Sequence, residues 1–133
     1  MQRKYFALGI AWFLLVTILL IIPGNELPKP QTWLEEIFFD KWIHAFLFGF
    51  LAYLFMHGLH KKSKGSKRLP VFFLSIFLLC SAWGLLTEMI QEQWIKGRGF
   101  EWLDWIADTT GALIAFIYCT LRLKLKDLKN INQ

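Results

Sequence analysis

The sequence predicts an all-α fold: a polytopic membrane protein whose four transmembrane helices form a small bundle, with both termini cytoplasmic. Three observations carry this. Of 133 residues, 56% are hydrophobic and only 19% charged, with a mean hydropathy of +0.41. That exceeds the apolar share of ordinary soluble domains. Four apolar segments are separated by short polar stretches, and Lys and Arg fall unevenly between the two sides those segments define. A disordered chain is excluded. So little chain lies outside the apolar segments that no soluble catalytic domain fits, and any chemistry must sit on membrane helices or short loops. One membrane domain over residues 1–133 is expected, with helices near 5–22, 42–60, 69–91 and 102–122.

The first segment, Tyr5 to Ile22, holds 18 residues without a charge. Arg3 and Lys4 precede it, as in a secretory signal. It ends in Ile22-Pro23-Gly24-Asn25 with no small-x-small cleavage pattern, so an uncleaved first helix is expected. The second segment begins at Trp42 and is interrupted by His44. The third runs from Leu69 to Thr87. The fourth has an uncharged core of only 13 residues, Thr109 to Leu121. A span needs about 20, so this helix must start near Trp102 and accept Asp104 and Asp108 at its rim. Between the first two segments, Pro23, Pro28 and Pro30 keep the chain extended, and Trp33 to Phe39 has the pattern of a short interfacial helix.

Topology follows from charge. Eleven of the 15 Lys and Arg lie in the N-terminus, the Lys61–Arg68 loop and the tail; the other four are Lys29, Lys41, Lys96 and Arg98. This places both termini and the Lys61–Arg68 loop in the cytoplasm. It also requires the fourth segment to cross. Trp33, Trp42, Trp94, Trp102 and Trp105 then fall at the outer rim, as an aromatic belt does. A net charge of +5 needs no nucleic acid to explain it, since the basic residues form no stripe with exposed aromatics. Cys80 and Cys119 lie inside apolar runs without a CxxC or four-ligand pattern, so they read as small buried hydrophobes.

Acidic residues divide the opposite way. Nine of the ten Asp and Glu face outward, Asp127 being the exception. Acids contribute little to topology, so their clustering calls for another cause. Asp40 and His44 share a helix face at a spacing of four, with Lys41 three before His44. Glu88 and Gln91 share a face at the end of the third segment. Asp104 and Asp108 do so at the start of the fourth. Arg98 sits in the short Lys96-Gly97-Arg98-Gly99 loop between them. All can meet in one layer near the outer interface. Ionisable groups at such a depth must pair or line a wet cavity. His57 and His60, at the other rim beside the basic loop, need no chemistry.

Taken together, Asp40-Lys41-x-x-His44, Glu88-x-x-Gln91, Gly97-Arg98-Gly99-Phe100 and Asp104-x-x-x-Asp108-x-x-Gly111-Ala112 resemble the VanZ-like family of bacterial integral membrane proteins. The resemblance spans Asp40 to Phe116; the first helix matches only as a hydrophobic span. This chain has Asp108 where the family usually has Asn, and Phe48 where it often has Tyr. The resemblance implies the bacterial cytoplasmic (inner) membrane, a site facing the extracytoplasmic side, and a role like that of the family's namesake in teicoplanin resistance. It implies no reaction.

Three functions fit these residues. An outer-leaflet pocket would bind an amphipathic anionic partner, namely a membrane lipid, a lipid-linked envelope precursor or a lipoglycopeptide. Asp40, Lys41, Gln91, Arg98 and Asp108 would line it, and Arg98 would offer a fork to phosphate or carboxylate. In an enzymatic version, His44, Glu88 and Asp104 would be catalytic, with His44 as general base in lipid hydrolysis or transfer. No residue is assigned as a metal ligand. Were a metal to assist, Glu88 with Asp40 or Asp104 would suit Mg²⁺ or Ca²⁺. The third reading is an accessory subunit whose polar layer is a salt-bridge network docking helices, Arg98 and Lys41 clamping Asp40, Glu88, Asp104 and Asp108. Cofactor and oligomeric state are not legible.

Overall fold

The computed structural model describes residues 2–23, 38–62 and 66–131, with side chains to residue 125. Trp33 and the rest of the expected interfacial helix before Phe38 lie outside these residues. The described residues form four helices: α1 Gln2–Ile21, α2 Phe39–Lys62, α3 Leu69–Trp94 and α4 Trp102–Ile131. Each contains a stretch long and apolar enough to cross a membrane. The protein is thus a multi-pass membrane protein with four candidate spans among the described residues. α4 starts at Trp102 and carries Asp104 in its first turn, so the short apolar core gains the length it needs from an acidic first turn.

Local chemistry sets the boundaries. Phe38 adopts a positive φ of 52°, and its carbonyl accepts the first amide bonds of α2, from Lys41 and Trp42. α3 opens on Arg68 with Pro70 in its first turn, where the missing N–H is no loss. It closes at Ile95, whose N–H reaches the Gln91 carbonyl. Gly97, at φ 75°, turns the chain back toward α4. A residue with a Cβ would be strained there. The Glu101 carbonyl then accepts from the Asp104 and Trp105 amides to start α4.

The helices run up and down. Tyr5 near the start of α1 meets Lys61 and His57 near the end of α2, and Tyr53 of α2 packs on Tyr118 of α4. Those helix ends share one face, the basic end. The end of α1, the start of α2, the end of α3 and the start of α4 share the other, the acidic end. α2 and α4 make the most extensive contact. A Cβ at Gly111 would run into the Ala45 backbone carbonyl, and one at Gly49 would lie 3.0 Å from the Gly111 carbonyl. Close approach through small residues is how membrane helices gain packing without a hydrophobic drive.

The core comprises Phe48, Leu51, Ala52 and Met56 of α2 with Phe73, Ala112 and Ala115 from α3 and α4. Large apolar side chains such as Leu14, Phe46, Leu79 and Ile114 point outward, as lipid-facing residues do. Cys80 and Cys119 are buried and free. Trp42, Trp94 and Trp102 are 70%, 72% and 62% exposed, as a belt requires. Trp105 departs from the belt. Its indole N–H donates to the Ser81 carbonyl at 3.1 Å, and beside it Ser81 and Thr109 hydroxyls bond at 2.8 Å, so this residue stitches α3 to α4.

Candidate functional site

Six buried polar or charged residues, His44, Thr87, Glu88, Gln91, Asp104 and Asp108, lie toward the acidic end, where α2, α3 and α4 converge. Thr87 satisfies itself on the Gly84 carbonyl one turn back. The others divide into three groups with separate partners.

The first group surrounds Lys41. Its ammonium contacts Asp40, Glu101 and Asp104 at 2.7, 2.5 and 2.5 Å. The Lys41 side chain is 15% exposed and Asp104 10%, whereas Asp40 and Glu101 are more than half exposed. The spacing of four that puts Asp40 near His44 does not produce that pair. Asp40 turns to its neighbour Lys41, which draws the start of α2 against the start of α4. Three carboxylates share the Lys41 charge.

The second group is fully inside. His44 Nδ1 lies 2.9 Å from Asp108 Oδ1, joining α2 to α4. His44 Nε2 faces Asp104 Oδ2 at 3.7 Å. Glu88 Oε2 accepts the Glu101 backbone N–H at 2.9 Å. The Glu88 carboxylate therefore sits at the N-terminus of α4, where the helix dipole favours a negative charge. Glu88 and Asp108 are both 0% exposed. Asp108 reaches this position because α3 presents Gly84, where a Cβ would stand 2.9 Å from Asp108 Oδ2. One ligand atom from each of His44, Glu88 and Asp108 falls within 4.8 Å of the other two, and the same holds for Asp40, Glu101 and Asp104.

The third group caps α1. Gln91 Nε2 donates to the Leu20 carbonyl at 2.8 Å, and Arg98 Nε to the Ile22 carbonyl at 3.2 Å. Carbonyls at a helix C-terminus have no intrahelical partner, and these donors supply one. Among the described residues, no carboxylate pairs with Arg98. Of the clamp expected from Arg98 and Lys41, Lys41 holds Asp40 and Asp104, while Asp108 meets His44 and Glu88 meets a backbone amide. The reason is reach: the Gly97 turn aims Arg98 across α3 toward the end of α1, away from α4.

Glu101 is the site residue that spacing alone missed. Its side chain meets Lys41 and its amide meets Glu88, so it links the first two groups. Its position immediately before a helix start was the available signal, because an acidic residue there favours the dipole.

With this geometry in view, the family comparison is direct. A family model described as VanZ/LLP1 matches residues 5–123. The chain belongs to the VanZ/LLP1 family. Comparison with curated proteins and with solved structures gave no match. The VanZ/LLP1 match includes nearly all of α1 as well as α2 to α4, extending beyond the Asp40 to Phe116 stretch that carries the motif resemblance. The caps that Gln91 and Arg98 place on α1 tie that helix to the rest of the matched stretch.

Proposed function

We propose that the protein binds an anionic amphiphile of the bacterial cell envelope, at the extracytoplasmic face of the inner membrane. A membrane lipid, a lipid-linked precursor and the acylated glycopeptide teicoplanin share this chemistry. The observation that carries the reading is the Arg98 side chain, which bonds the end of α1 and pairs with no carboxylate among the described residues. Arg98 is half-buried, tethered through Nε, and has no carboxylate partner among the described residues. Its guanidinium thus keeps hydrogen-bonding capacity for phosphate or carboxylate. Exposed Trp94 and Trp102 flank its loop, amphipathic rings suited to a headgroup region.

Below the Gln91–Leu20 contact, Phe13 of α1 packs on Trp83 of α3 with ring centroids 5.1 Å apart. A cavity of about 310 Å³ opens between the two helices over α2, lined by Phe13, Leu51, Phe55, Ile76, Leu79, Cys80 and Trp83. Along α3 this wall runs from about 12 to about 22 Å below Gln91, at the helical rise per residue. An acyl chain from a headgroup at Arg98 would reach this cavity past the Phe13–Trp83 pair. Teicoplanin carries such a chain; a glycopeptide without one would lack this contact. The resemblance to the VanZ-like family supplies the same setting. The accessory-subunit reading is favoured at one place, the Lys41 group, whose closed ion pairs dock α2 on α4.

The test is teicoplanin susceptibility of cells making each variant, beside binding of a fluorescent acylated glycopeptide to protein in detergent. Arg98→Lys keeps the charge and loses the fork, so binding should weaken about tenfold. Ile76→Trp fills the cavity and should weaken acylated ligands while leaving a non-acylated glycopeptide unaffected. If both variants bind and protect like wild type, the proposal fails.

A further inference from the structure

Five carboxylates meet at the acidic end, and Lys41 answers only three of them. The remaining two, Glu88 and Asp108, are sealed from solvent beside His44. Each uses one oxygen, Glu88 Oε2 on the Glu101 amide and Asp108 Oδ1 on the His44 ring. Among the described residues, Glu88 Oε1 and Asp108 Oδ2 are buried with no hydrogen-bond partner. Stranding two carboxylate oxygens in a membrane interior is costly unless something positive sits between them.

The geometry points to a divalent transition-metal ion held by His44, Glu88 and Asp108. The three come from α2, α3 and α4, so the bundle sets their approach. Two ligands at about 2.1 Å from one ion stand about 3.0 Å apart in an octahedral shell and about 3.4 Å apart in a tetrahedral one. The His44–Asp108 separation is 2.9 Å. Glu88 completes a set whose members lie within 4.8 Å, so small side-chain shifts bring all three onto one ion. If Nδ1 ligates, the Nε2–H faces Asp104, a carboxylate placed to orient a ligating imidazole. One imidazole with two carboxylates suits Zn²⁺ or Mn²⁺ better than Ca²⁺, which prefers an all-oxygen shell. The other three-acid cluster, Asp40, Glu101 and Asp104, already encloses the Lys41 ammonium. Asp108 matters here beyond charge: an amide at this position is a weaker ligand than a carboxylate.

The experiment uses the full chain in detergent, purified without chelator from cells supplied with Zn²⁺ or Mn²⁺. Elemental analysis should find about one ion per chain. EDTA should remove it and lower the Tm, and returning Mn²⁺ should restore the Tm and give the spectrum of a bound ion in electron paramagnetic resonance. Glu88→Gln and Asp108→Asn keep side-chain size and should each weaken Mn²⁺ binding by more than about tenfold. Asp40→Asn and Arg98→Ala should retain the ion. The Arg98 variant separates this inference from the headgroup proposal. Wild-type protein that retains no ion and shows no Tm response to Zn²⁺ or Mn²⁺ overturns the inference. So does undiminished binding in both Glu88→Gln and Asp108→Asn, or loss of the ion in Asp40→Asn.

Discussion

Replacing Lys41 with Met removes the ammonium around which Asp40, Glu101 and Asp104 gather. An exposed ion pair contributes about 0–1 kcal/mol, and breaking a buried one costs about 3–5 kcal/mol. Lys41 lies between these limits, because Asp104 is nearly buried while Asp40 and Glu101 are wet. Lys41→Met should therefore lower stability by about 2 kcal/mol, and Asp40→Asn by less than about 1 kcal/mol. Denaturation in mixed micelles by SDS titration measures both. Equal losses would mean the three carboxylates are not held as the distances imply. These residues also show how far the site was legible. Spacings of three and four put Asp40, Lys41 and His44 on one turn, and Asp104 and Asp108 on another. They cannot say which side chain crosses to which helix. That depends on backbone separation, which the sequence does not state. Hence Arg98 reads as the natural clamp, although it caps α1, and Glu101 escapes notice because its amide as well as its side chain contributes. His44 reads as a rim histidine of small energetic weight, yet it is 7% exposed and pairs with a buried Asp.

At the scale of helices, Gly111 allows α2 and α4 to meet. Any Cβ at this position collides with the Ala45 carbonyl, and backbone cannot swing aside as a side chain does. Gly111→Ala should force the two helices apart and lengthen the His44–Asp108 contact one turn away. Overpacking of this kind costs about 1–3 kcal/mol, and rigid backbone on both sides argues for the upper end. The same SDS titration reads the loss. The substitution gains about 1 kcal/mol of helix propensity, so a net loss understates the collision. If Gly111→Ala is as stable as wild type or more stable, the close crossing is not what joins α2 to α4. The helices themselves were legible because length and apolarity fix them locally, and even α4 could be recovered from the need to place its basic tail. Their pairing was not. Gly49 and Gly111 are ordinary residues until a partner helix lies against them, and nothing local marks which helix that is.

For the molecule as a whole, the up-and-down path places the start of α1, the end of α2, the start of α3 and the end of α4 at one end of the bundle. Which end faces the cytoplasm is a matter of charge. The basic end carries Arg3, Lys4, Lys61, Lys62, Lys67, Arg68, Arg122 and Lys124, and the acidic end Lys41, Lys96 and Arg98, in the segments the structure describes. Basic loops this short are retained inside, and acidic ones cross with little penalty. The Lys41 group reinforces the bias, because three carboxylates answer its charge. On this charge bias the site is expected to face the extracytoplasmic side, where the proposed envelope amphiphile would reach it. Two single-cysteine proteins test this in a Cys80→Ala, Cys119→Ala background. At Gly99 there is open space for a side chain, so Gly99→Cys should react in intact cells with a charged, membrane-impermeant maleimide. Ser66→Cys should react only after the membrane is opened. The reverse pattern would invert the bundle. Arg98 and the cavity between α1 and α3 would then open to the cytoplasmic leaflet, and a teicoplanin-type ligand arriving from outside would have no route to them. The labelling thus bears on the ligand as well as the topology: an inverted bundle could still serve a cytoplasmic lipid, and a metal held by His44, Glu88 and Asp108 would be unaffected by either outcome.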